Sequence, residues 1–197
     1  AVPLMRTSGG GAIVNVGSIT GIRGTEAMVA YSASKSGITA MTASLALDLA
    51  VEGADVAFTY QSNESQALEV VETIQWLGQR ALAVRADVAS LALATSVVQQ
   101  VLAEWGRMDI LVNNAGIHRN VPIWDISEAD WESVMAVNLK GTFNYIRAVA
   151  PHFRQQRAGK IVSIASIHAL RGRAEGPNYS AAKAGIIGLS KSVARDL

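Results

Sequence analysis

Short apolar segments alternate with longer amphipathic segments along the chain, and this alternation restricts the fold more than any other feature. Segments rich in β-branched residues, as is typical of buried strands, occur at 12–16, 54–60, 81–84, 109–112 and 161–164. The segments between them carry apolar residues at helical spacing. Strands separated by helices predict an α/β fold with a doubly wound parallel sheet, helices on both faces and right-handed crossovers. Since no stretch has the composition of a linker, we expect one domain, 1–197.

Several helix boundaries are also predicted by local signals. Ser62 or Asn63 should cap one helix and Ser90 the next, and Ser127 begins a helix that we expect to run to about residue 156. Pro151 should kink or end that helix. The helix that follows Asn63 should turn four residues toward the core: Leu68, Val71, Ile74 and Leu77.

The composition excludes several classes of protein. The formal net charge is +1, and no basic cluster suggests a nucleic-acid or membrane partner. The absence of cysteine excludes a disulfide framework and a thiolate metal site, and it fits a reducing compartment, so we expect a cytoplasmic protein. We find no signal peptide and no apolar run long enough to cross a bilayer. The histidines have no metal-ligand spacing, so no metal site is expected: His118, His152 and His168.

One strand-and-helix unit occurs twice. Residues 1–49 align with residues 149–197 at a constant offset of 148, without gaps and with 19 of 49 positions identical. Each copy carries serine, tyrosine and lysine at the same spacing: Ser18, Tyr31 and Lys35 in the first, Ser166, Tyr179 and Lys183 in the second. Tyrosine and lysine four residues apart share a helix face, where the ammonium group favours the phenolate. A serine at the adjoining strand end would then hold a substrate oxygen while the tyrosine exchanges its proton.

Five motifs follow one another in the chain, and the last two of them lie in the second copy. They are Asp87-Val88, Asn113-Asn114-Ala115-Gly116, Asn138 within Val137–Gly141, Ser166, and Tyr179-x-x-x-Lys183. In these motifs the chain resembles the short-chain dehydrogenase/reductase family, and the resemblance covers residues 54–197. It implies a Rossmann-like fold and an NAD(P)-dependent enzyme that interconverts small-molecule carbonyls and alcohols.

The resemblance also implies a role for each motif. Tyr179 would be the general acid/base, and Lys183 would favour its phenolate and hold the nicotinamide ribose. Ser166 would position the substrate oxygen, and Asn138 would anchor a water in a proton relay. The residues implied to line the cofactor, with the adenine near Asp87, are Asp87, Val88, Asn114, Ala115, Gly116, Tyr179 and Lys183.

The chain departs from the family pattern at both ends. The glycine-rich loop Thr-Gly-x-x-x-Gly-x-Gly is absent, and the first copy offers only Gly17-x-x-x-Gly21-x-x-Gly24 in its place. We interpret residues 1–53 as a unit that fills the first-strand slot, which predicts the strand order 3-2-1-4-5. Its serine, tyrosine and lysine would be inherited and idle. The family's remaining strands and substrate lid, expected after Leu197, are not part of the sequence.

Cofactor choice, assembly and two other functions stay open at this point. No acidic residue stands in Tyr60-Gln61-Ser62, which favours NADP over NAD, with Arg23 as a candidate phosphate partner. The helix at 128–156 and the Tyr179 helix predict a homodimer or homotetramer by resemblance. One alternative is a truncated, duplicated remnant of the family that folds and self-associates with little activity. The other is a hydrolase that uses Ser32-x-x-Lys35 or Ser180-x-x-Lys183.

Overall fold

A five-stranded parallel sheet organises the computed structural model, which describes residues 11–16, 46 and 49–197. Its strand order is β3-β2-β1-β4-β5, the same order as expected from the sequence. Neighbouring strands pair in parallel throughout. The strands are β1 (Gly11–Val16), β2 (Ala54–Tyr60), β3 (Ala81–Arg85), β4 (Ile110–Asn113) and β5 (Lys160–Ser163).

Helices connect these strands and begin at the predicted signals. The side chains of Asn63, Ser90 and Ser127 each accept a hydrogen bond from a backbone N–H in the first turn of a helix. Residues 46 and 49–51 are also helical and lead toward β2. The helices are α1 (Glu64–Trp76), α2 (Leu91–Trp105), α3 (Glu128–Val134), α4 (Gly141–Gln156), α5 (His168–Arg171) and α6 (Pro177–Asp196).

The sheet separates two apolar layers. In β2 and β4, Ala57 and Leu111 face a layer that contains α2 and α4, while their strand neighbours face a layer that contains α1. This alternation follows from the two-residue period of a strand. It confirms the prediction of a sheet with helices on both faces. Among the described residues, no helix is long and apolar enough to cross a membrane.

The structure differs in part from three local predictions. The helix predicted at 128–156 has these bounds, but Met135–Lys140 within it forms a π-helical turn between α3 and α4. Pro151 does not end α4, which continues to Gln156. Both Pro151 and Arg147, whose carbonyl loses its helical partner, are exposed, so water can satisfy that carbonyl. Leu68 is 52% exposed, and the neighbouring Ala67 is buried in its place.

Tyr145 on α4 is fully buried; its hydroxyl lies near that of Thr59 but makes no hydrogen bond of good geometry with the described residues. Burial raises the pKa of Tyr145 to about 12; the nearby Thr59 hydroxyl opposes this rise and the charge of Asp87 adds to it. In the unfolded chain a tyrosine has a pKa of about 10. The folded state therefore keeps this proton longer than the unfolded state, and the resulting stability is complete below pH 10 and lost as the pH rises toward 12.

We expect Tyr145→Phe to abolish this loss of stability at alkaline pH. At pH 8 its free energy of unfolding should equal or exceed that of the unmutated protein, since the substitution removes a buried hydroxyl without a partner. At pH 11 the variant should gain a further ~1.4 kcal/mol relative to the unmutated protein. Urea unfolding of both proteins at the two pH values measures this difference, and parallel pH profiles would contradict the prediction.

Candidate active site

The predicted site residues follow the carboxyl ends of the strands. Asp87 follows β3, Asn114 follows β4 and Ser166 follows β5. Because the strands are parallel, these ends share one edge of the sheet, and the chain changes direction there between β1 and β4. Such an edge is where ligands bind in open α/β sheets.

Lys183 is buried at one end of this edge, beside the end of β5. It lies on α6 with 4% of its surface exposed, and its Nζ donates a hydrogen bond of 2.6 Å to the carbonyl of Ile164. The Nζ atom is 5.8 Å from the centre of the Tyr179 ring, one helical turn earlier. A buried ammonium is costly unless it is partnered, so the carbonyl just beyond β5 fixes where this charge lies. The predicted Tyr179–Lys183 pair is therefore brought together at the end of β5.

Asn178 fixes the start of the helix that carries Tyr179. Pro177 occupies the first turn of α6, where its missing N–H costs nothing. Asn178 is fully buried; its Oδ1 accepts from the N–H of Tyr179 at 2.7 Å, and its Nδ2 donates to the carbonyl of Asp130 at 3.4 Å. Sequence reasoning missed Asn178, because a polar residue beside a helix start has no pattern that predicts burial.

Asn138 holds the loop after β4. It lies in the π-helical turn and is fully buried. Its Oδ1 accepts from the N–H of Ile117 at 2.7 Å, and its Nδ2 donates to the carbonyl of the same residue at 2.8 Å. The side chain thus bonds both backbone groups of Ile117, as a neighbouring strand would. The carbonyl of Asn138 itself accepts a hydrogen bond of 2.8 Å from Thr142 Oγ1.

Gly116 lies close to the side chains of both Asn138 and Lys183. A Cβ atom at Gly116 would lie 3.5 Å from Asn138 Oδ1, 3.6 Å from Lys183 Nζ and 3.9 Å from the Asn114 carbonyl. The glycine therefore leaves a small hollow with polar walls. Asn114 and Ala115 are buried beside it.

Ser166 lies two residues beyond Ile164 and is half-buried. Its Oγ accepts a hydrogen bond of 3.2 Å from the N–H of His168, at the start of α5. The hydroxyl therefore accepts from the first residue of this short helix while its own proton stays available for donation. This arrangement is compatible with a serine that donates to a substrate oxygen.

Asp87 and Val88 form a turn at the other end of the edge. Asp87 Oδ1 accepts from the N–H of Ala89 at 2.9 Å, and the Asp87 carbonyl accepts from the N–H of Ser90 at 3.1 Å. Three strand spacings separate β3 from β4, which is about 14 Å. A single ligand that touches both ends of the edge must therefore be elongated.

These features fit an elongated dinucleotide. Polar atoms near the ends of β2 and β4, Thr59 Oγ1 and Asn113 Oδ1, are buried and have no hydrogen-bond partner among the described residues. Gly116 would let the ribose end approach the backbone closely beside Lys183, and the Asp87 turn would meet the adenine end. The part of the chain that the structure describes contains no cluster of three or more possible metal ligands.

Several predicted features lie outside the described residues. They are Ser18, Tyr31 and Lys35 of the first copy, the glycines of its loop, Gly17, Gly21 and Gly24, and the candidate phosphate partner Arg23. Ser180, of the second Ser-x-x-Lys pattern, is described: its Oγ is buried and has no partner among the described residues. A nucleophile must reach its substrate, so this buried hydroxyl does not favour the hydrolase alternative.

Comparison with known proteins agrees with this arrangement. A family model described as short chain dehydrogenase matches residues 1–56 and, separately, residues 45–197. A 3-oxoacyl-[acyl-carrier-protein] reductase, FabG, from Staphylococcus aureus (strain N315) is 40% identical over 154 residues, which are 78% of this chain and 63% of the relative. The chain thus spans less than two thirds of the length of that reductase.

Two further matches come from rhizobia. An uncharacterised short-chain type dehydrogenase/reductase, y4mP, from Sinorhizobium fredii (strain NBRC 101917 / NGR234) is 40% identical over 182 residues, covering 89% of this chain and 69% of the relative. A crystal structure of a candidate short-chain alcohol dehydrogenase from Sinorhizobium meliloti 1021 superimposes with a TM-score of 0.77 at 30% identity. That match covers 94% of this chain and 66% of the other.

We expect Asn138→Ala to destabilise the protein by about 2–4 kcal/mol, because it leaves the buried N–H and carbonyl of Ile117 without partners. Gln156→Ala is the control. Its amide also donates to two carbonyls, those of Met108 and Ala158, but at a half-buried position, so it should cost about 1 kcal/mol. Urea unfolding measures the free energy of unfolding of both variants. Equal losses would show that the hydrogen bonds from Asn138 to Ile117 contribute no more to stability than those of Gln156.

Proposed function

The chain belongs to the short-chain dehydrogenase family, and on that premise we propose that it is a nicotinamide-dependent oxidoreductase that interconverts a carbonyl and an alcohol. The observation that carries the proposal is the buried Lys183. Its Nζ is held by the Ile164 carbonyl, 5.8 Å from the Tyr179 ring centre, and borders the Gly116 hollow. A buried cation beside a phenol, at the edge where ligands bind, suits proton transfer.

We assign Tyr179 as the general acid/base. In reduction its phenol gives a proton to the carbonyl oxygen, and in oxidation its phenolate takes a proton from the alcohol. Lys183 stabilises the phenolate through its charge. Ser166 donates a hydrogen bond to the same substrate oxygen. Asn138 anchors a water in the proton relay, and its side-chain contacts with Ile117 hold the loop that borders the site. The nicotinamide, when bound, supplies the hydride chemistry.

The cofactor residues divide into two groups. Asn114, Ala115 and Gly116 border the nicotinamide end together with Tyr179 and Lys183, whereas Asp87 and Val88 contact the adenine. No acidic residue ends β2, and a ribose 2′-hydroxyl would need one. We therefore propose NADP rather than NAD.

For the substrate we propose a small carbonyl compound. The S. aureus relative is named as a 3-oxoacyl-[acyl-carrier-protein] reductase, so a 3-oxoacyl thioester is the first probe to assay. The opposing possibility is an inactive remnant, since the first copy lacks the expected glycine-rich loop. Titration of the intrinsic fluorescence with NADPH and NADH separates the two. Saturable binding of either cofactor supports the oxidoreductase. No binding at millimolar cofactor would support the inactive remnant.

We also propose a homodimer or homotetramer that associates through α4, the adjoining π-helical turn and α6. A groove of about 630 Å³ runs along these elements. It is lined mainly by apolar side chains that include Met135, Leu139, Phe143 and Leu189, and Glu132 and Lys140 also line it. Phe143 is 41% exposed in this groove. An aromatic residue in an apolar groove on two neighbouring helices suits a self-complementary contact.

Tyr179→Phe should lower turnover of the thioester at least ~100-fold, since it removes the proton donor but keeps the ring. The Kd for NADPH should change only a few-fold, because the Tyr179 ring that borders the nicotinamide end is kept and the adenine end is untouched. Tyr31→Phe serves as the matched control in the first copy and should retain turnover. Loss of activity in the control with retention in Tyr179→Phe would assign the chemistry to the other copy.

Phe143→Arg should dissociate the oligomer, because it places a charge in the apolar groove. Light scattering at micromolar concentration should then report the monomer mass for the variant and a multiple of it for the unmutated protein. Trp76→Arg replaces another exposed aromatic residue, on α1, and should leave the mass unchanged. A monomeric unmutated protein, or dissociation by both variants, would refute this interface.

A further inference from the structure

The turn after β3 is held by α4, a helix that follows it far along the chain. Asn144 on α4 is fully buried, and its Nδ2 donates a hydrogen bond of 2.9 Å to the carbonyl of Val88. Within the turn, Asp87 Oδ1 accepts from the N–H of Ala89. The backbone of Val88 thus has an anchor outside its own turn.

Gly141 allows α4 to approach this turn more closely than a residue with a side chain would. A Cβ atom at Gly141 would lie 2.9 Å from Val88 Cγ2 and 3.2 Å from Val88 Cβ. Val88 is β-branched and only 7% exposed, so it has little freedom to move away. Glycine inside a helix costs about 1 kcal/mol relative to alanine, and this contact explains its presence.

Unpaired polar atoms lie beside this contact. Asn144 Oδ1, Tyr145 OH and Thr59 Oγ1 are all buried and have no hydrogen-bond partner among the described residues. The charge of Asp87 also acts on the Tyr145 hydroxyl. Buried polar groups without partners are uncommon, and they usually mark ordered water or a functional site.

We propose that Asn144 is a positioning residue for the adenine of the dinucleotide, acting through the Val88 carbonyl to hold the Asp87–Val88 turn in place. Adenine presents an N6 amino donor, which a carboxylate such as Asp87 accepts if it is correctly placed. Gly141 assists by allowing the close approach of α4. This inference rests on the proposed function and adds the determinant of one part of the cofactor site.

The test is Asn144→Ala, with binding of NADPH, 5′-AMP and reduced nicotinamide mononucleotide each measured by calorimetric titration. Loss of one hydrogen bond to the turn should weaken NADPH and 5′-AMP by the same factor, about 5- to 10-fold. The mononucleotide, which lacks adenine, should bind as before. In turnover, the KM for NADPH should rise with kcat unchanged.

Val149→Ala is the control for general destabilisation. Val149 is also fully buried on α4 but packs in the core cluster, so its substitution should lower stability without changing any of the three affinities. Gly141→Ala is a second variant in case Asn144→Ala does not fold. Its added methyl group would press on Val88 from the same helix, so this variant should also bind 5′-AMP more weakly while its affinity for the mononucleotide is unchanged.

Each outcome bears on the inference. Equal loss for all three ligands, or no loss for 5′-AMP, would show that Asn144 has only a structural role. If the unmutated protein binds dinucleotide but Asn144→Ala binds it equally well, this inference fails while the proposed function stands. If the unmutated protein binds neither NADPH nor 5′-AMP, the proposed function fails, and this inference fails with it.

Discussion

The backbone hydrogen bonds of β1 hold the two halves of the sheet together, and the candidate site depends on them. β1 pairs with β2 along Gly11–Val16 and with β4 along Ile13–Val16. The Asp87 turn belongs to one half of the sheet and Lys183 to the other. Without a central strand, β2 and β4 would each expose a row of unpaired backbone groups, and the two ends of the site would have no fixed separation.

Ladder hydrogen bonds involve only the backbone, which explains how a duplicated unit can occupy this slot. A buried parallel strand requires an apolar, β-branched segment that a helix can follow, and residues 11–16 meet that requirement. The family's first unit supplies a glycine-rich loop as well as a strand. We therefore propose that residues 1–53 replace its structural part, and that cofactor affinity depends on what the loop at Gly17–Gly24 provides.

Away from the ladder, polar side chains take over the role of strand partners. Lys183 binds the Ile164 carbonyl, Asn138 binds both backbone groups of Ile117, and Asn144 binds the Val88 carbonyl. Each of these loops begins where a strand ends, so its backbone groups need new partners if they are buried. Side chains from helices supply them, and the same contacts shape the candidate site. These few hydrogen bonds thus contribute both to stability and to the geometry of the candidate site.

The sequence by itself determined the alternation of strands and helices, their caps, the repeat and the Tyr179–Lys183 pair, because these depend on residues close together in the chain. It did not predict the π-helical turn at 135–140, or that α4 continues through Pro151, which lies on an exposed face of the helix. The anchoring roles of Asn144 and Asn178 were likewise decided only by the tertiary structure. Each contacts a backbone group more than forty residues away, and no local pattern records such a partner.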